Sequence, residues 1–182
     1  MPTRELLLVR HCASTGQPPE SRLSDEGYRQ AQTLADFLDG HAIGAVVSSP
    51  FRRARETIEP FARRRGLELR TDPRLAEHTL SAESRDDWRD CVRRCFEDPD
   101  YRAPGGESAR ESRARAWAAI DTALDAGPAL PVLVSHGQLL SLLLSSVDPD
   151  FGYAGWASMR NPDVFRLAVE AGKGRAFERI LP

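Results

Sequence analysis

Arg10 and His11 end the apolar run Leu6-Leu7-Leu8-Val9, and the same shape returns twice further along the chain. Ala45-Val46-Val47 leads through Ser48-Ser49-Pro50 to Arg52 and Arg53, and Val132-Leu133-Val134 leads through Ser135 to His136 and Gly137. Short unbroken apolar runs are what strands buried on both faces require. In an open α/β sheet, ligands bind beyond the carboxyl ends of the strands. Three strands ending this way can bring Arg10, His11, Arg53 and His136 together. Two guanidiniums, each gripping two oxygens in a fork that lysine cannot match, and two imidazoles make a site for a dianion with a nucleophile in it.

The elements that must position these residues read as successive βα units. After His11, the Ser-, Gly- and Pro-containing stretch Cys12 to Arg22 is a loop over the strand end. Ser24 is a helix N-cap, with Asp25 and Glu26 at the positive end of the dipole; Ala31, Leu34, Ala35 and Leu38 share a face, and Gly40 suits the stop. The second unit is a strand from Ala42 to Val47 and a helix with Ala54, Thr57, Ile58 and Phe61 on one side, where Pro60 predicts a kink or break. Leu67 to Arg70 alternates as a short strand. From Glu77 to Gly106 the chain is charged and irregular, with one helix expected over Asp86 to Phe96. A long helix from about Glu107 to Asp125, ended by Gly127-Pro128, precedes the third strand and the apolar segment Leu139 to Val147. Val164 to Val169 and Arg175 to Leu181, around Gly172-Lys173-Gly174, predict a closing hairpin.

At 182 residues the chain is most simply one domain, 1–182, able to bury a core without metal or disulfide help. A formal charge of −2 and no long basic run argue against a nucleic-acid partner. Three widely spaced cysteines make neither a disulfide framework nor a metal site, and Cys91 and Cys95 fall with Trp88 and Val92 at helical spacing, as core residues would. No stretch reads as a signal peptide, and none approaches the roughly 18 apolar residues of a membrane span. These features predict a cytoplasmic protein with no membrane partner. The oligomeric state stays open.

Six blocks in order along the chain resemble the histidine phosphatase, or phosphoglycerate mutase-like, superfamily. They are Arg10-His11; Leu23-Ser24-Asp25-Glu26-Gly27 with Gln30-Ala31; Ser49-Pro50-Phe51-Arg52-Arg53-Ala54 with Glu56-Thr57; Leu75-Ala76-Glu77; Pro104-Gly105-Gly106-Glu107-Ser108; and Val134-Ser135-His136-Gly137. The resemblance implies a three-layer α/β/α fold with a mostly parallel central sheet, and a short lid-like insert at about 78–106 that adapts the site to a substrate.

Phosphoryl transfer asks a protein mainly for positioning and charge stabilisation. In that light Arg10, Arg53 and His136 would hold the phosphate oxygens. His11 would attack phosphorus through one ring nitrogen while a backbone carbonyl orients the other, giving a phosphohistidine. The family position makes Glu77 the proton donor to the leaving alcohol, with Glu83, Asp86 and Asp87 as fallbacks. Thr15, Gly16, Gln17 and Ser135 are candidates for a substrate loop or supporting groups. No metal or other cofactor is required by this chemistry. His41 and His78 read as structural, with His78 also a candidate pocket wall.

Cys12 stands where the family often has Gly, and is read either as an inert small side chain or as a point of mild oxidant sensitivity. The expected activity is that of a phosphomonoesterase on a small phosphate ester, with a phosphoprotein as a further candidate substrate. A cofactor-dependent phosphoglycerate mutase is the alternative, disfavoured by the short insert. An idle phosphate- or protein-binding module is the third reading.

Overall fold

Leu6 and Leu8 face one side of the central strand and Leu7 and Val9 the other, and all four are fully buried. This is why the run carries no polar alternation: both faces of the strand are covered. The computed structural model describes residues 3–127, 129–170 and 174–181. Its elements run β1 (Arg4–Arg10), α1 (Asp25–Asp39), β2 (Ile43–Ser48), α2 (Arg52–Arg65), β3 (Leu69–Thr71), a 3-10 turn (Pro73–Leu75) and α3 (Trp88–Glu97). They continue with α4 (Ala109–Asp125), β4 (Leu130–Ser135), α5 (Gly137–Ser145), α6 (Gly152–Ser158), β5 (Asp163–Glu170) and β6 (Gly174–Arg179).

The six strands lie in the order β3-β2-β4-β1-β5-β6; the first four are parallel, and β5 runs antiparallel to both of its neighbours, β1 and β6. On one face, Leu34, Leu38, Ile58 and Phe61 of α1 and α2 pack on Leu7, Val46 and Val132. On the other, Ile120, Leu140 and Leu143 of α4 and α5 pack on Leu6, Leu8, Leu133 and Phe165. The result is the expected three-layer α/β/α architecture with a mostly parallel sheet. β5 and β6 form the expected hairpin, whose turn at 171–173 lies outside the described residues, as does Pro128. The segment 78–106 holds α3, tied to α6 by ring contacts between Trp88 and Trp156 and between Phe96 and Tyr153. Among the described residues no helix is long and apolar enough to cross a membrane.

One local expectation, a break at Pro60, is corrected, and the stop at Gly40 holds. The helix α2 runs unbroken through Pro60; the one lost N–H is outweighed by Ile58, Phe61 and Ala62, all buried around it. Gly40 does end α1, but with a right-handed φ of −71°, so its glycine freedom is unused; the left-handed cap is Gly66 after α2. The helix α4 is capped by a reciprocal pair in which the Ser108 hydroxyl accepts from the Glu111 N–H and the Glu111 carboxylate accepts from the Ser108 N–H.

Gly27 explains one motif glycine physically. Ser24 caps α1 by accepting from the Gly27 N–H at 3.0 Å, and its own N–H donates to the Ala13 carbonyl at 3.0 Å. A methyl group on Gly27 would collide with that same carbonyl. The helix start therefore rests directly on the loop that follows His11. Gly27→Ala should destabilise the protein by about 1–3 kcal/mol through overpacking. Gly40→Ala, whose new methyl meets only an ordinary contact with the Phe37 carbonyl, should be neutral or stabilising by about 0.4–1 kcal/mol. Urea unfolding of the two variants checks the contrast.

Candidate active site

Parallel pairing brings the strand ends level, with Arg10 of β1 beside Ser135 of β4 and Ser48 of β2 beside Val134. The pairing continues one residue past each strand: the His11 N–H donates to the Ser135 carbonyl at 3.0 Å and the Ser49 N–H to the Val134 carbonyl at 2.8 Å. The rings of His11 and His136 consequently stand 5.1 Å apart, edge to face.

His11 is held in one tautomer. Its Nδ1 lies 2.7 Å from the Cys12 carbonyl, so Nδ1 carries the proton and donates it there. Nε2 is left with its lone pair and accepts from Arg53 Nε at 3.1 Å. Burial, together with the nearby Arg53 and Arg10 charges, pushes the pKa of His11 down to about 3 against the pull of the Cys12 carbonyl. The imidazole is therefore neutral, with a free nitrogen, across the physiological range. The loop carrying that carbonyl is fixed by two motif residues and one outside the motifs: Thr57 Oγ1 accepts from the Cys12 N–H, Gln30 Oε1 from the Ala13 N–H, and Asn161 Nδ2 donates to the His11 carbonyl.

The donors stand around this nitrogen. Arg53 is buried on α2 and also donates from Nη1 to the carbonyls of Gln17 and Pro18, at 2.8 and 3.0 Å. Arg10 donates from Nη1 to the Met159 carbonyl at 2.9 Å, while its Nε has no partner among the described residues. The guanidinium lies so close to Gly137 that a methyl there would stand 2.9–3.1 Å from Nε, Cζ and Nη2, so the glycine after His136 is what admits Arg10. His136 bonds Ser49 Oγ through Nε2 at 2.7 Å, and its Nδ1 is likewise buried without a partner. Buried polar atoms are nearly always paired; these two unpaired nitrogens belong to the residues that flank His11 at the strand ends.

Glu77 meets this group from the chain between the 3-10 turn and α3. Its carboxylate accepts from three backbone N–H groups: His78 at 2.8 Å, Leu139 at 2.9 Å and Gln138 at 3.2 Å. The last two belong to the first turn of α5, where the helix dipole favours negative charge. Burial nevertheless dominates and holds the Glu77 pKa above the usual carboxylate range, with the three amides and Arg53 pulling it back. Arg10 and Arg53 both feel its charge.

The remaining candidates separate cleanly. Arg10, His11, Arg53, His136 and Glu77 come together. Gln17 reaches the group through its backbone, whereas the exposed Thr15 spends its N–H and hydroxyl on the Arg22 carbonyl in a local turn, and Gly16 accepts from the Ser14 hydroxyl. Ser135 ties β4 to the Leu75 carbonyl at 2.8 Å. Glu83, Asp86 and Asp87 are exposed, and Asp87 pairs with Arg85. His78 is not a pocket wall; it is buried with Nδ1 2.6 Å from Ser112 Oγ. Oxidant sensitivity at Cys12 is overturned, because the thiol is fully buried and burial pushes its pKa up to about 12. Sequence reasoning missed Ser49, Met159 and Asn161 as partners of His136, Arg10 and His11. Only Ser49 carried a signal, as a motif residue beside Pro50. Among the described residues no group of three His, Cys, Asp or Glu is arranged to hold a metal ion.

Three buried histidines are neutral in the fold: burial sets His11 at about 3 and His78 at about 4, and holds His136 well below its ordinary value. Below about pH 6.5 the unfolded chain takes up protons that the folded one refuses, so stability should fall as pH drops. The slope is up to about 1.4 kcal/mol per pH unit for each histidine. The raised Glu77 works in the opposite sense, losing stability as pH rises through its folded pKa, but it is one group against three. Urea unfolding compared at pH 7 and pH 5 checks this; equal midpoints would contradict it.

The probable phosphoglycerate mutase GpmB of Cronobacter sakazakii is 34% identical over 140 residues, covering 70% of this chain and 64% of that relative's length. This chain thus matches less than two thirds of its curated relative. Among solved structures, the mycobacterial glucosyl-3-phosphoglycerate phosphatase complexed with inorganic phosphate superposes with a TM-score of 0.77 at 26% identity, covering 98% of this chain and 96% of that one. The Entamoeba histolytica phosphoserine phosphatase shares the fold at a TM-score of 0.76 and 18% identity, covering 95% of this chain and 94% of that one. Residues 6–176 match the family described as the histidine phosphatase superfamily, branch 1. With the strand-end cluster built around His11, that match establishes that the chain belongs to this superfamily.

Proposed function

We propose that the chain is a phosphomonoesterase that works through a phosphohistidine on His11, with Glu77 as the proton donor. The observation that carries this reading is the pairing of a neutral imidazole, its Nε2 lone pair free of a proton, with a carboxyl group whose pKa is held up by burial. An unprotonated base and a carboxyl group with a raised hold on its proton are the two partners a phosphate ester needs.

The steps balance as follows. The Nε2 lone pair of His11 attacks phosphorus while the bond from phosphorus to the alcohol oxygen breaks, and Glu77 gives its proton to that oxygen. The Glu77 carboxylate then takes a proton from water as the water oxygen attacks phosphorus. The P–N bond breaks, returning neutral His11, protonated Glu77 and inorganic phosphate. Arg10 and Arg53, with His136 Nδ1, carry the charge on the equatorial oxygens, so the reading calls for no metal. The segment 78–106 acts as a lid over the leaving group, and the substrate class is a small phosphate monoester.

The names of the sequence relatives favour a second reading, in which the phosphohistidine returns its phosphate to a phosphoglycerate hydroxyl. It shares the His11 step and differs only in the acceptor. The 26 residues between Glu77 and Pro104 make a short lid for excluding water, which supports hydrolysis instead.

The test is hydrolysis of p-nitrophenyl phosphate in excess EDTA, beside conversion of 3-phosphoglycerate in the presence of 2,3-bisphosphoglycerate. Hydrolysis should survive chelation and vanish in His11→Ala, and hydrolysis of an alkyl phosphate should decline as pH rises through the raised Glu77 pKa. Glu77→Gln should lose about 10²- to 10⁴-fold in kcat on an alkyl phosphate. Mutase turnover exceeding hydrolysis would select the second reading, and full activity in His11→Ala would overturn both.

A further inference from the structure

The chain around Glu77 is not held by secondary structure of its own: between the 3-10 turn that ends at Leu75 and α3 at Trp88 no helix or strand forms. Its backbone is collected by one side chain. Arg115, on α4, donates from Nη1 to the carbonyls of Arg74 and Ala76, each at 2.7 Å, and from Nη2 to that of Glu77 at 3.3 Å. The same guanidinium grips Glu107 as a two-point fork, Nε to Oε2 at 3.0 Å and Nη2 to Oε1 at 2.5 Å. Glu107 Oε1 in turn accepts from the Thr79 N–H at 3.0 Å, and the Glu107 N–H donates to the Thr79 carbonyl at 2.8 Å. One ion pair therefore fixes the backbone on both sides of Glu77, at residues 74, 76, 77 and 79.

The neighbouring chain is shaped to this arrangement. Gly106 lies where a methyl would collide with the Leu80 carbonyl, and Gly105 has φ +71° with Ala82 against it, so the turn before α4 can press on residues 79–82 only because both are glycine. The side chains of Arg115 and Glu107 are 22% and 21% exposed, so the pair is only partly screened by water. Arg115 makes no hydrogen bond to Arg10, His11, Arg53 or His136; its donors go to Glu107 and to the three carbonyls.

We propose that Arg115 and Glu107 form a positioning pair for the proton donor, setting where the Glu77 carboxyl stands over the leaving oxygen without touching the substrate. The inference rests on the assignment of Glu77 as the acid. Its signature is a dependence on the leaving group. An alkyl alcohol needs the proton as it departs, whereas p-nitrophenolate leaves without one. A displaced acid therefore slows release of the first alcohol in a single turnover and spares release of the second, whereas the later attack of water on the phosphohistidine is common to both.

Two variants read this independently: Arg115→Lys, which keeps the charge and loses the fork, and Glu107→Gln, which keeps the shape and loses the charge. Each should slow the single-turnover release of glycerol from glycerol 3-phosphate by about 10²-fold, the cost of a misplaced catalytic group. The single-turnover burst of p-nitrophenolate from p-nitrophenyl phosphate should stay within about threefold of the parent, with unchanged inhibition by inorganic phosphate, which also reports a folded site. Glu77→Gln should show the same split in alcohol release, while its steady-state turnover falls on both substrates because the base for water is lost. Equal losses on both substrates in Arg115→Lys and Glu107→Gln, or no loss in either, would overturn the positioning role while leaving Glu77 as the acid. A Glu77→Gln enzyme with no split would instead remove the acid assignment and the inference with it.

Discussion

The bond from His11 Nδ1–H to the carbonyl of its own neighbour, Cys12, is the constraint on which the site depends. It spans one residue, so it survives only if the backbone at 12 and 13 is held in a single shape. That shape is imposed from four sides: by Thr57 on α2, by Gln30 and the start of α1, and by Asn161 ahead of β5. Most of these ties reach backbone atoms. The loop accordingly accepts Cys12 where a family pattern has glycine, provided the side chain is small and can be buried.

Charge in the site is deliberately unbalanced. Two guanidiniums, Arg53 buried and Arg10 half-buried, face one carboxyl group, and both histidines are pressed toward neutrality by burial and by those same arginines. A site of this kind is electropositive without any imidazolium, so it can attract a phosphate dianion and still offer it an unprotonated nucleophile. Had either histidine carried the positive charge, the attacking lone pair or the neutral partner beside it would be gone. Arg53 has the tightest position, since the nitrogen it donates to is the one expected to attack.

Much of this was legible in the sequence because phosphate chemistry constrains residue type. Only arginine gives a charged fork, only histidine a neutral nitrogen of suitable strength, and the three strand ends that carry them end in the same pattern. The glycines were legible as motif letters, but their reason was not: Gly27, Gly106 and Gly137 each admit a specific atom that is distant in sequence, a carbonyl at 13, a carbonyl at 80 and the guanidinium of Arg10. The Met159 carbonyl and Asn161 left no trace, since one acts through the backbone that every residue has and the other lies in no motif. Pro60 misled because its local penalty is real, yet the buried face of α2 outweighs it. Cys12 was open until its burial was known.

The strand that leads into His11 lies between β4 and β5, so Leu7 pairs with Val132 on one edge and with Arg166 on the other. During synthesis the run Leu6 to Val9 leaves the ribosome well ahead of both of its strand partners, β4 (Leu130–Ser135) and β5 (Asp163–Glu170). At typical elongation rates of about 5–20 residues per second that is a delay of seconds, during which an apolar strand has no native neighbour. α1 and α2 can cover one of its faces early, but nothing can occupy its edges. His11, made before either partner strand, thus acquires its geometry only once β5 has followed, and a nascent chain that has not reached β5 carries the motif without the site.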